Sequence, residues 1–129
     1  MRIVLVDDDR AFTESLRTVV EDDLAVSVVG VARDGIEALD LVDEAAPQAV
    51  LMDIHMPLLD GVSTIARLRQ DYPWLCLIAM TADNTPELHR AVEEAGADAV
   101  ILKHDLPHRL ADQIAAARER AEPDQRAVM

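Results

Sequence analysis

The chain is predicted to be an α/β protein, a doubly wound parallel sheet with helices on both faces. Five short apolar runs alternate with five longer stretches of helical character. Runs one, three, four and five are apolar on successive residues, which suits central strands covered on both faces. The order βαβαβαβαβα then implies parallel strands joined by right-handed crossovers.

The strands are expected at Arg2–Val6, Ala25–Val31, Ala49–Met52, Cys76–Met80 and Ala99–Leu102. The second run contains Ser27 and Gly30 and suits an edge strand. The first helical stretch follows Asp7-Asp8-Asp9, where Asp8 or Asp9 can serve as a cap. Asp34, with Glu37 three residues on, reads as a capping box opening the second helix. Ile36, Leu39, Leu41 and Val42 form its expected core-facing stripe, and Ala45-Ala46-Pro47 ends it. Asp60-Gly61 opens the third helix, with Val62, Ile65, Ala66 and Leu68 facing inward. Asn84-Thr85-Pro86-Glu87 opens the fourth, with Pro in the first turn, and Ala95-Gly96 closes it. Asp105-Leu106-Pro107 opens the fifth, whose stripe is Leu106, Leu110, Ile114 and Ala117. Residues 1–121 are expected to form one domain, with 122–129 a polar tail or linker stub.

The chain has 129 residues, half of them hydrophobic, enough for a single packed core. Aromatics make up only 2%, so aliphatic side chains must build that core. A net charge of -13 argues against nonspecific nucleic-acid binding, which needs clustered Lys and Arg, and disfavours an anionic membrane surface. The single cysteine, Cys76, lies within a strand and is expected to be a buried, inert thiol. No signal peptide or transmembrane run is expected, which makes the cytoplasm the default location.

The polar residues that end the runs carry the chemistry. Asp7, Asp8 and Asp9 follow the first run, Asp53 the third, Thr81 the fourth and Lys103 the fifth. Ligands of open α/β sheets bind at that edge, and one common strand order is the flavodoxin-like 2-1-3-4-5. Strands one and three are then neighbours, so Asp7, Asp8 and Asp53 converge. Crowded carboxylates repel and raise the pKa of one of them unless a cation is present. Mg²⁺ suits an oxygen site that supplies one or two carboxylates and leaves room for a phosphate.

The motifs are Val6-Asp7-Asp8, Met52-Asp53-Ile54-His55-Met56-Pro57 with Asp60-Gly61, Met80-Thr81-Ala82, and Ala95-Gly96-Ala97 with Leu102-Lys103. Together and in this order, from about Arg2 to Arg120, they resemble the receiver domain of bacterial two-component response regulators. The resemblance implies that Asp53 is the phosphoacceptor, attacking the phosphorus of a phosphohistidine on a sensor histidine kinase. It implies Mg²⁺ held by Asp7, Asp8, Asp53 and the backbone carbonyl of His55. Lys103 would pair with the phosphoryl oxygens, and Thr81 would donate its hydroxyl to one of them once Asp53 is modified. The module would signal by changing a protein–protein surface and would not be a turnover enzyme. Its partners would be the kinase and an output domain or effector, without direct nucleic-acid or membrane contact. The resemblance also admits a phosphorylation-dependent homodimer through the fourth and fifth helices.

Taken one at a time, these residues have plainer readings. Asp9 reads as a cap or solvated residue, Met56-Pro57 as loop shaping, and His89 and His108 as surface helix residues. Arg109, Arg118 and Arg120 are too few to bind DNA alone.

Two positions depart from the commonest receiver pattern. Val100 stands three residues before Lys103, where many receivers have Tyr or Phe. Coupling through a moving aromatic ring is absent, and any shift must travel through backbone and packing. His104 follows Lys103 where many receivers have a cis proline. A cis bond before a non-proline residue costs roughly 2.5–4 kcal/mol, so a trans bond is expected. Leu102-Lys103-His104-Asp105 is similar to receivers that precede LuxR-type helix-turn-helix outputs. Two alternatives compete. A haloacid-dehalogenase-type phosphotransferase would need a second Asp two residues after the nucleophile, where His55 stands. A binding-only pseudo-receiver would have lost acidic, Thr or Lys positions, all of which are present.

Overall fold

The alternation of side chains along each strand decides the layering. The computed structural model describes residues 1–24, 26–55, 60–82, 85–106 and 108–116. Strands β1 (Arg2–Val6), β2 (Ser27–Ala32), β3 (Ala49–Asp53), β4 (Cys76–Thr81) and β5 (Ala99–Leu102) form one parallel sheet in the order β2-β1-β3-β4-β5. The helices are α1 (Arg10–Asp23), α2 (Gly35–Ala45), α3 (Gly61–Asp71), α4 (Pro86–Ala95) and α5 (108–116), with a 3₁₀ turn at Lys103–Asp105. This is the flavodoxin-like architecture expected.

Ile3, Leu5, Ala49, Leu51, Ile78, Met80 and Ile101 pack against Leu16 and Val20 of α1 and Leu110 and Ile114 of α5. Val4, Val6, Val50, Met52, Leu77 and Ala79 pack against Ala38, Val42, Ile65, Leu68 and Val92 of α2, α3 and α4. Strand side chains alternate in direction, so a run apolar on successive residues feeds two cores at once.

β2 is the edge strand anticipated from Ser27 and Gly30. Its register against β1 slips between Ile3 and Val4, with Ile3 paired to Val28 and Val4 to Gly30. A Cβ at Gly30 would lie 2.7 Å from Leu41 Cδ2, so glycine lets α2 approach closely.

Caps define the helix ends. Asp9 accepts from the Phe12 amide, Asp34 from Glu37 and Asp60 from Ser63. Pro86 sits in the first turn of α4, where Thr85 makes no side-chain cap bond. Gly96 closes α4 at φ 119°, and Ala46 closes α2 at φ 47°.

Several expected positions differ. Ile36 is 53% exposed, and the buried face of α2 is Gly35, Ala38 and Val42, with Leu39 and Leu41 partly covered. On α3, Ala66 is exposed and Thr64 is buried instead, its hydroxyl donating to the Asp60 carbonyl. His89 is half-buried rather than superficial, with its Nε2 covered by protein. The expectations for Ala25, Met56-Pro57, Asn84, Pro107, Ala117, Arg118, Arg120 and 122–129 lie outside the described residues. Among the described residues, no helix is long and apolar enough to cross a membrane.

Candidate phosphoacceptor site

The sheet's C-terminal edge gathers the polar residues that end its strands. Asp7 follows β1, whereas Asp53 and Thr81 are the last residues of β3 and β4, one position deeper than expected. Lys103 opens the 3₁₀ turn directly after β5. All but Asp8 lie beneath the surface: Asp7, Asp53 and Thr81 are buried, and the Lys103 side chain is 23% exposed.

The residues meet through specific bonds. The Lys103 ammonium donates to Asp7 Oδ2 at 2.7 Å and lies 3.4 Å from Asp53 Oδ2. The second Asp7 oxygen accepts from the Asp9 amide at 3.0 Å, and Asp53 Oδ1 accepts from the His55 amide at 3.2 Å. Asp9 is therefore the cap of α1 and also orients Asp7, while Asp8 stays exposed beside them. Carboxylate oxygens of Asp7, Asp8 and Asp53 all lie within 4.8 Å of one another. The His55 side chain is exposed.

Sheet pleating explains the arrangement. Asp7 and Asp53 continue the series Ile3, Leu5 and Ala49, Leu51 on the face covered by α1 and α5. Thr81 continues Leu77 and Ala79 on the opposite face. The site thus straddles the sheet edge, with carboxylates on one side and the hydroxyl on the other.

Burial pushes the Asp53 carboxyl above its ordinary value, helped by the Asp7 charge and opposed by the His55 amide and Lys103. Crowding was expected to raise a carboxylate here, yet removal from water is the larger cause. Burial also disfavours the Lys103 ammonium, but its hydrogen bond to Asp7 and the charges of Asp53 and Asp7 outweigh that and raise its pKa. Lys103 is held charged between two acids.

Sequence reasoning passed over Phe12. The Lys103 ammonium lies 4.3 Å from the centre of its ring, a cation–π contact that fixes the amine from the α1 side. The signal was available, since Phe12 is the chain's only Phe and follows the acidic cluster at helical spacing.

A family model for the response regulator receiver domain matches residues 3–115. This chain is a response regulator receiver domain. The receiver is 37% identical over 125 residues to the response regulator MprA of Mycobacterium sp. (strain KMS), covering 97% of the chain and 54% of that protein. It thus spans about half the length of the curated relatives it matches. Among solved structures it is similar to a LuxR-family two-component response regulator from Aurantimonas sp. SI85-9A1, with TM-score 0.84, 30% identity and coverage of 89% and 82% of the two chains. It is also similar to the receiver domain of the putative response regulator NarL from Mycobacterium tuberculosis, with TM-score 0.84, 27% identity and coverage of 91% and 95%. The likeness to receivers of LuxR-type regulators, read from Lys103-His104, is met by these structures. Receivers are signalling domains of two-component systems rather than classical enzymes.

Proposed function

We propose that Asp53 accepts a phosphoryl group from the phosphohistidine of a sensor kinase in a Mg²⁺-dependent reaction, and that the modified receiver presents an altered protein–protein surface. The observation that carries this reading is the Lys103 bridge. One ammonium lies within 3.4 Å of both Asp7 and Asp53, beside a third carboxylate from Asp8. A structural ion pair needs one acid, and this site keeps three.

The donor set fits a hard divalent cation, being all oxygen and drawn from Asp7, Asp8, Asp53 and the backbone of His55. When bound, Mg²⁺ supplies charge neutralisation for the incoming phosphoryl oxygens. In the transfer, an Asp53 oxygen forms the new P–O bond as the P–N bond to the donor imidazole breaks, and the imidazole takes up a proton. Lys103 neutralises phosphoryl oxygens as charge moves onto them, and Thr81 donates to one of them from the other side of the sheet edge. The reaction draws on positioning and electrostatics, since the phosphoryl transition state is loose and in-line.

Val100 packs against the layer of α2, α3 and α4 and cannot swing as a ring does. The readout then runs through β4, β5 and α4 as packed units, and a phosphorylation-dependent homodimer through α4 and α5 goes with it. An output domain of LuxR type is the partner the similarity favours, and the cytoplasm the compartment. A binding-only role draws no support, because Asp7, Asp8, Asp53, Thr81 and Lys103 are all in place.

The test is intact mass after incubation with phosphoramidate, with and without Mg²⁺, beside Asp53→Ala. One added phosphoryl group that needs Mg²⁺ and disappears in the variant is expected. An unlabelled wild-type chain, under conditions that label another receiver, would sink the proposal.

A further inference from the structure

A cavity of about 210 Å³ opens beside Asp7, between α1 and the end of β2. Its lining includes three arginines, Arg10, Arg17 and Arg33, with Thr13 and Glu14. The concentration is unusual for a chain with 25 acidic and 12 basic residues. Arg17 shares its charge with Glu21 at 3.4 Å, in an exposed pair of little strength. Arg10 and Arg33 make no ion pair or side-chain hydrogen bond among the described residues, despite the acidic excess. Arg10 is also placed against local preference. It begins α1, whose first turn holds no acidic residue, where a cation meets the positive end of the helix dipole. Residues that break a local rule mark functional sites more often than defects.

Charge inside the cavity favours an anion. The Asp7 carboxylate is 1% exposed, and both its oxygens are engaged by Lys103 and the Asp9 amide. Glu14 is the one acid left to oppose the three guanidinium groups. Planar guanidinium forks match the oxygens of phosphate and bind them through paired hydrogen bonds. The volume is smaller than a typical drug-sized pocket and suits a compact ligand.

We propose that the Arg10–Arg17–Arg33 cavity, which adjoins the phosphoacceptor pocket at Asp7, is a binding site for a small phosphate monoester that binds independently of Asp53. Its ligand would lie against the α1 side of Asp7, where occupancy can be sensed by the acceptor site.

The experiment is amide-detected NMR titration of the whole chain with glycerol 3-phosphate, in EDTA so that no divalent cation recruits phosphate to Asp53. Shifts at Arg10, Thr13 and Arg33 are expected, and they should persist in Asp53→Asn. The double variant Arg10→Gln/Arg33→Gln should bind roughly tenfold more weakly or worse, the loss expected for one charge-assisted pair. Arg90→Gln/Arg109→Gln changes the charge equally at exposed positions elsewhere and should bind as the wild type does. Arg10 and Arg33 are exposed, so glutamine there leaves the core intact. The proposal is overturned by absent shifts in the wild type, by loss of binding in Asp53→Asn, or by equal weakening in both double variants. Equal affinity for succinate would overturn the assignment to phosphate. Labelling of Asp53 by phosphoramidate is read separately, so the two proposals fail independently.

Discussion

Asp53, the proposed acceptor, is a carboxylate held at a cost, because the fold removes it from water and sets Asp7 nearby. A carboxyl whose pKa is raised on folding loses stability as pH climbs from the ordinary 3.8 through the folded value. Without divalent cation, Asp53→Asn should therefore melt higher than wild type at neutral pH, and the two should converge below pH 3.8. A wild-type melting point equal to or above the variant's at pH 7 in EDTA would contradict this. Adding Mg²⁺ should raise the wild-type melting temperature and leave Asp53→Asn nearly unmoved. Lys103 has the opposite sign: its raised pKa stabilises the fold at all pH below 10.5, and the gain is lost as pH rises through the folded value. Lys103→Met leaves Asp7 buried without its cation and should cost roughly 3 kcal/mol at pH 7 in EDTA. Denaturant unfolding checks it, and combining the change with Asp53→Asn should recover part of the loss.

At the scale of elements, the site depends on how α3 is seated behind β3. Asp60 caps α3 through the Ser63 amide and hydroxyl, which hold its carboxyl below the usual value. Asp60→Ala should cost about 1 kcal/mol of stability. Gly61 is stricter. A Cβ there would come within 2.3 Å of Ile54 Cα, so backbone must move. Gly61→Ala should cost about 1–3 kcal/mol and slow phosphoryl uptake, since Ile54 and His55 follow Asp53 directly. Normal labelling kinetics in a destabilised Gly61→Ala would separate the packing effect from the site. The end of α3 holds a second fixture. Arg69 donates to the carbonyls of Gly96, Pro73 and Leu75 and pairs with Asp98 at 2.8 Å, and Asp98 also accepts from the Leu77 amide. This cluster ties α3, β4 and the α4–β5 turn together at the end of the sheet away from Asp53. Nothing in the local sequence announces it, because Arg69 and Asp98 lie 29 positions apart.

Across the whole molecule, chemistry occupies one end of the sheet and most of the aromatic surface the other. Trp74 is 72% exposed and meets Tyr72 edge-on at 5.9 Å, just before β4 begins. The site lies past the far end of that six-residue strand, roughly 20 Å away. Trp74 emission should be that of a solvated indole and should not shift on adding Mg²⁺; a marked shift would mean that the site couples across the sheet. The strand runs, the caps at Asp34 and Asp60, the Gly96 helix end and the polar residues at strand ends were all legible along the chain, because periodicity and capping act over a few residues. The family, too, was legible in the ordered motifs. Ile36, Ala66 and His89 were misplaced because apolar or polar character does not say which face of a helix the sheet covers. The chain's own order thus determined an α/β receiver fold with Asp7, Asp53, Thr81 and Lys103 at its strand ends. Only the folded sheet decided that one ammonium spans Asp7 and Asp53 over the Phe12 ring, that Thr81 ends β4 on the opposite face, and that Arg10 and Arg33 share a cavity. Those relations join residues distant in sequence, and they exist only once pleat, register and crossover hand have brought the strand ends together.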